Sequence, residues 1–124
     1  MILVVDDEPH VSEMLAEYLG DLGYAVTVAT TGVDALRMAA ESRPDAVLLD
    51  MRLPDTTGDR LLAKLLALDS SLPIVMLSGD GEDGIARQMI AAGALDYLSK
   101  PFDFTVFRRT IVEAVEAGRE CVAR

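Results

Sequence analysis

The chain has a single cysteine, Cys121, and few basic residues. One thiol excludes an internal disulfide and leaves no second sulfur for a thiolate zinc site, so Cys121 reads as a tail thiol. Eleven Lys and Arg against 21 Asp and Glu give a formal net charge of −10. Phosphates would repel a chain this acidic, so no nucleic acid is expected to bind this domain, and any DNA-binding activity would have to come from another one. No apolar run approaches the roughly 18 residues needed to cross a bilayer, and no basic segment precedes a signal-like core. The expectation is therefore no membrane and a cytoplasmic location. Repeats, low-complexity tracts and internal linkers are absent too. What remains is 124 residues of 51% hydrophobic content, which excludes a disordered chain and suffices for one domain with a sizeable core.

Five strand-sized apolar runs recur: Ile2–Val5, Ala25–Ala29, Ala46–Leu49, Ile74–Leu77 and Ala94–Leu98. Most are apolar throughout rather than alternating, the pattern of strands covered on both faces, so the sheet should be parallel and central. Segments of helical spacing separate them. Val11, Met14, Leu15, Tyr18, Leu19 and Leu22 form one stripe; Val33, Leu36, Ala39 and Ala40 a second; Leu61, Leu62, Leu65 and Leu68 a third; Ile85, Met89 and Ala92 a fourth; Phe107, Ile111, Ala114 and Val115 a fifth. All five read as core faces. Gly20, Gly23, Pro44, Pro73 and Gly93 punctuate the boundaries. Strands alternating with helices predict an α/β fold, a doubly wound five-stranded parallel sheet with right-handed crossovers.

In such a sheet every strand C-terminus emerges along one edge, where ligands bind. The first run leads into Asp6-Asp7-Glu8, the third into Asp50, the fourth into Ser78 and the fifth into Ser99-Lys100-Pro101. Each has a bland explanation singly: Asp6 or Asp7 as a helix cap, Asp50 opening a turn around Pro54 and Gly58, Ser78 as a turn serine, Lys100 as a solvated charge. Together they gather three carboxylates, a hydroxyl and an ammonium, which capping alone would not require. Clustered carboxylates repel and would take up protons unless a cation neutralised them. An all-oxygen site of a few carboxylates suits Mg2+, and three carboxylates, one divalent ion and Lys100 sum to zero charge. The same parts suit phosphoryl transfer to a carboxylate. Asp50 is the candidate acceptor, because a rigid apolar strand precedes it; Lys100 would meet the phosphoryl oxygens and Ser78 would donate a hydrogen bond.

These segments resemble the receiver domain of bacterial two-component response regulators over essentially the whole chain. Ile2-Leu3-Val4-Val5-Asp6-Asp7-Glu8 is similar to the family's first strand and acidic pair. Leu48-Leu49-Asp50-Met51-Arg52-Leu53-Pro54 is similar to its phosphoacceptor segment, and Gly93-Ala94-Leu95-Asp96-Tyr97-Leu98-Ser99-Lys100-Pro101-Phe102 to its last strand and lysine-proline turn. Ser78 stands where threonine is common, which keeps the hydroxyl.

The resemblance implies strand order 2-1-3-4-5, a cis bond before Pro101, and magnesium held by Asp6, Asp7, Asp50 and the Arg52 backbone carbonyl, with Asp7 the stronger ligand and Asp6 acting partly through water. It further implies that Asp50 accepts a phosphoryl group from a histidine kinase or phosphotransfer protein, and that Ser78 and Tyr97 form a switch. The surface of the fourth helix, fifth strand and fifth helix should then change to control an output domain or partner, with Ile85, Met89, Phe104 and Phe107 expected to supply a partner or homodimer interface. Such a domain is a signalling module rather than an enzyme with a separate turnover substrate. Arg52 and Asp80 are expected over the pocket mouth, setting the phosphoryl lifetime, while His10 reads as a surface residue.

The alternative is a magnesium-dependent phosphatase with a first-strand Asp nucleophile, but that motif separates its two Asp by a spacer whereas Asp6 and Asp7 are adjacent. A flavin or nucleotide module would need a phosphate-cradling loop where Asp6-Asp7-Glu8 would repel phosphate. Residues 1–118 are expected to form the receiver and 119–124 a tail or the start of a linker. Met1 directly before the first strand speaks against an internal receiver of a hybrid kinase.

Overall fold

Short, β-branched and Leu-rich runs make the strands, and amphipathic segments the helices, in the order β1 (Ile2–Val5), α1 (Pro9–Asp21), β2 (Val26–Ala29), α2 (Gly32–Glu41), β3 (Ala46–Asp50), α3 (Gly58–Leu68), β4 (Ile74–Ser78), α4 (Asp83–Ala91), β5 (Asp96–Ser99) and α5 (Phe104–Ala123). This is a computed structural model that describes residues 1–79 and 83–123. All strand pairs are parallel, in the order β2-β1-β3-β4-β5. The expected doubly wound α/β sheet is thus the observed one.

Side-chain alternation along each strand divides the core in two. Leu3, Val5, Val47, Leu49, Ile74 and Met76 face one cluster, completed by α2, α3 and α4. Ile2, Val4, Ala46, Leu48, Val75 and Leu77 face the other, completed by α1 and α5. The central strands β1, β3 and β4 are buried along their apolar residues, whereas the edge strands β2 and β5 are only partly so. Each buried aliphatic side chain contributes about 1.5–3 kcal/mol, so the three central strands are the stiffest part of the molecule. They carry the groups of interest at their ends.

Some strand and helix boundaries depart from the sequence pattern for identifiable reasons. β5 begins at Asp96 rather than Ala94, because the Ala94 amide closes the end of α4 on the Met89 carbonyl (3.0 Å) around Gly93 at φ +114°. Gly23, at φ +96°, ends α1 similarly, and β2 starts at Val26. Five stripe residues face solvent: Val33 (69% exposed), Leu68, Met14, Ala40 and Ala92. Val33 lies in the first turn of α2.

At the opposite end from the strand C-termini, α5 passes through Gly118 without interruption. A Cβ on Gly118 would lie 1.9 Å from the Asp45 carbonyl oxygen, and Arg43 holds the same spot by donating to the Gly118 carbonyl (3.3 Å) and reaching Ser71 and Asp69. Gly118→Ala should therefore cost at least about 2 kcal/mol in urea unfolding. Gly20→Ala, with nothing within 4 Å of its Cβ position, should be neutral or stabilising by up to ~1 kcal/mol.

Candidate functional site

Parallel pairing brings the ends of β1, β3, β4 and β5 to one edge of the sheet. Asp6 follows β1 directly, Asp50 and Ser78 are the last residues of β3 and β4, and Lys100 follows β5. Asp6 is fully buried: its Oδ1 accepts the Glu8 amide (2.9 Å) and its Oδ2 accepts from Lys100 Nζ (3.3 Å). Asp50, with its side chain 14% exposed, has an oxygen 4.0 Å from the same ammonium. Asp7 is exposed at the rim. One oxygen from each of Asp6, Asp7 and Asp50 lies within 4.8 Å of the others. The Lys100 amide donates to the Ser78 carbonyl (2.7 Å), the peptide bond to Pro101 is cis, and Ser78 is buried beside it.

Burial is the main force on Asp50 and pushes its carboxyl above the usual carboxylate value. Lys100 opposes the rise, the neighbouring Asp6 charge adds to it, and the Arg52 and Met51 amides pull it back in part. With all four groups ionised, three carboxylates face one ammonium. A purely oxygen donor set, this closeness and a local charge of two minus fit a divalent magnesium ion, which favours a few carboxylates completed by waters and a phosphate oxygen. All five expected charged or hydroxyl side chains therefore converge on one edge, Lys100 nearer to Asp6 than to Asp50.

The remaining expected residues are placed unevenly. Arg52 has an exposed side chain and a backbone bridged to Thr57. Asp80, its expected companion, and the side chain of Cys121 lie outside the described residues. His10 is exposed on the first turn of α1. Tyr97 packs against the α2/α3/α4 cluster, with its hydroxyl buried and without a hydrogen-bond partner among the described residues. The interface expected from Ile85, Met89, Phe104 and Phe107 needs correction: Met89 and Phe107 are core residues, turned inward by the helix spacing that also buries Ile111. Ile90, Leu95, Phe104 and Val106 are the large apolar side chains exposed there. Asp55, which sequence pattern did not single out, accepts the Gly32 and Val33 amides at the start of α2. Its position next to Pro54 in the segment after Asp50 was the available signal, but a turn aspartate does not announce a partner 23 residues away.

The sequence model of the response regulator receiver domain matches residues 2–115. The transcriptional regulatory protein KdpE of Mycobacterium tuberculosis is 40% identical over 115 residues, covering 93% of this chain and 50% of KdpE. The chain thus spans about half the length of the regulators it matches first. Among solved structures, the receiver domain of NtrX from Brucella abortus superposes with a TM-score of 0.85 at 34% identity, over 96% of this chain and 98% of that one. The receiver domain of the sensor histidine kinase PA1611 from Pseudomonas aeruginosa, solved with a magnesium ion coordinated in its active-site cleft, gives 0.84 at 32% identity, over 93% and 96%. Among the described residues, no helix is long and apolar enough to cross a membrane.

The raised Asp50 carboxyl has a consequence for stability. A folded state that binds a proton more readily than the unfolded chain is favoured below the ordinary carboxylate value of 3.8 and loses that advantage as pH rises through the folded value. Ionised Asp50 is thus a cost at neutral pH. Asp50→Asn should melt a few degrees above the parent at pH 7 in EDTA, and the gain should vanish below pH 3.8. A pH series of thermal melts checks both parts.

Proposed function

The chain belongs to the response regulator receiver domain family, and from that premise we propose that Asp50 accepts a phosphoryl group from a phosphohistidine on a histidine kinase or phosphotransfer protein. The observation that carries the assignment is the setting of Asp50: a carboxylate at the end of a fully buried central strand, 4.0 Å from Lys100 and close to two further carboxylates. Asp6 fits the nucleophile's role poorly. It is fully buried and both its oxygens are already bonded, to the Glu8 amide and to Lys100, which weighs against the phosphatase alternative.

Asp6, Asp7, Asp50 and the Arg52 carbonyl would hold magnesium, whose bound charge would neutralise the incoming phosphoryl oxygens. An Asp50 oxygen attacks phosphorus as the phosphorus–nitrogen bond breaks, and the electron pair of that bond returns to the imidazole. Lys100 then follows the new negative charge from Asp6 toward Asp50, a short move given its 3.3 Å and 4.0 Å separations. Ser78, at the end of the neighbouring strand β4, would donate to a phosphoryl oxygen, a role the β3/β4 register supports.

The chain is read as a signalling domain that promotes its own phosphorylation and dephosphorylation and controls an output domain or partner. Phosphoryl oxygens beside Ser78 would draw its hydroxyl, and Tyr97 on adjacent β5 would respond through the α4/β5/α5 surface. An unpartnered buried hydroxyl costs about 1–3 kcal/mol, which makes Tyr97 a side chain with a reason to change position. The exposed Ile90, Leu95, Phe104 and Val106 are the apolar groups that a partner or second copy would cover there.

Acetyl phosphate with magnesium should add one phosphoryl group, read by intact mass; full labelling of Asp50→Asn would sink the assignment. Lys100→Ala should label slowly and fail to signal. On adding beryllofluoride with magnesium, which mimics the phosphoryl group, amide NMR shifts should spread from Asp50 through Ser78 to Tyr97 and α4. Shifts confined to the neighbours of Asp50 would exclude this route of switching.

A further inference from the structure

The segment between β3 and α3 is a closed hairpin. The Leu53 amide bonds the Thr56 carbonyl (3.2 Å), the Gly58 amide bonds the Met51 carbonyl (2.8 Å), and Arg52 bridges Thr57. Its base is fixed to the sheet through the Met51 amide on the Leu77 carbonyl (3.1 Å) and through Gly58, whose Cβ position lies 2.7 Å from the Asp50 carbonyl oxygen. Met51 and Leu53 pack against the core cluster under α2, α3 and α4, and the tip reaches α2 itself. There the Asp55 carboxylate takes two amides of α2, Gly32 on Oδ1 (2.8 Å) and Val33 on Oδ2 (3.1 Å). The fit is close: a Cβ on Gly32 would sit 2.5 Å from Thr56 Cγ2.

We infer that Asp55 is a positioning residue for the phosphoacceptor site, which clamps the tip of the 51–57 hairpin to the N-terminus of α2 and so holds Arg52 in register with Asp50. The hairpin matters to the site because the Arg52 carbonyl is the backbone oxygen assigned to magnesium, and the Arg52 amide favours the ionised form of the Asp50 carboxyl. Arg52 is the exposed residue of the hairpin between base and tip, and its backbone bridges Thr57, so the tip contact bears on its position. The α2 terminus is an effective anchor because its first amides lack intrahelical partners and attract negative charge. Those two amides hold the Asp55 carboxyl below its usual value, so the clamp stays ionised well below neutral pH. The inference rests on the proposed roles of Asp50 and Arg52.

A plain helix-capping role predicts something different, and α2 supplies its own control. Thr31 Oγ1 accepts the Asp34 amide (3.1 Å) in the same turn, a bond within the α2 terminus itself. Three variants, Asp55→Ala, Asp55→Asn and Thr31→Ala, are compared by thermal melting, amide hydrogen exchange and magnesium titration followed by NMR with no phosphodonor present. Asp55→Ala should speed exchange at Gly32 and Val33 and weaken magnesium about tenfold, the low end of what loss of an outer-shell partner does. Asp55→Asn, which keeps a neutral acceptor, should fall between. Thr31→Ala should lower the melting temperature yet leave magnesium affinity within about twofold of the parent. The inference is overturned if Asp55→Ala also stays within about twofold, or if Thr31→Ala weakens magnesium as much. Labelling of the unaltered protein by acetyl phosphate separates the two levels: failure there refutes the acceptor role of Asp50, whereas normal labelling with unchanged magnesium affinity in the Asp55 variants refutes only the clamp.

Discussion

The structure depends on holding like charges together against their repulsion. Oxygens of Asp6, Asp7 and Asp50 lie within 4.8 Å of one another, and two of the three residues are largely or fully withdrawn from water. At an effective dielectric of about 20, two unit charges 4 Å apart interact by roughly 4 kcal/mol, so such a cluster cannot be left to flexible loops. The sheet supplies the force. β1 and β3 are adjacent, with Val5 paired to Leu49, so Asp6 and Asp50 are fixed as neighbours by backbone register. Moving either carboxylate away would require breaking a ladder between two fully buried strands.

The same register explains why the compensating groups arrive from the other side. Asp50 pairs with Leu77 and Ser78 with Ser99, which sets Ser78 and Lys100 one and two strands along the same edge. Lys100 is then tied by its own amide to the Ser78 carbonyl, so its backbone cannot retreat while its side chain remains free to choose between Asp6 and Asp50. The ammonium sits closer to Asp6 because that carboxylate is wholly shielded from water and has the greater need of a counter-charge. Asp50 is left as the carboxylate with less compensation, and burial raises its proton affinity accordingly.

How far this was legible in the sequence follows from the range of each interaction. Asp6, Asp50, Ser78 and Lys100 each end or follow an apolar run, a local pattern, and parallel topology converts four local patterns into one site. The family resemblance added the strand order and the Arg52 carbonyl, which no spacing reveals. The helical stripes place Met89 and Phe107 on core faces, as observed; their further assignment to a partner surface fails because those side chains are already buried in the core. Ala94 and Leu95 are apolar and so read as strand, while the cap around Gly93 that delays β5 to Asp96 depends on backbone conformation. Asp55 is illegible for a related reason: its partners are main-chain amides of another element, and main-chain groups carry no sequence signature.

Two kinds of constraint therefore meet at Asp50. The strands fix where its Cα lies, through burial on both faces of the sheet. The hairpin after β3 fixes what surrounds the carboxylate, through hydrogen bonds that water can contest more readily than it can contest the core. The first is stiff and indifferent to charge, whereas the second is tied to α2 by an ionised side chain and to the site by the Arg52 amide. Against that background Tyr97 is the exception, a buried hydroxyl without a partner among the described residues on the edge strand β5, where pairing on one side alone restrains it. A rigid centre with its adjustable parts at the rim and the sheet edge allows a change of charge at Asp50 to be met by side-chain movement while the sheet itself stays intact.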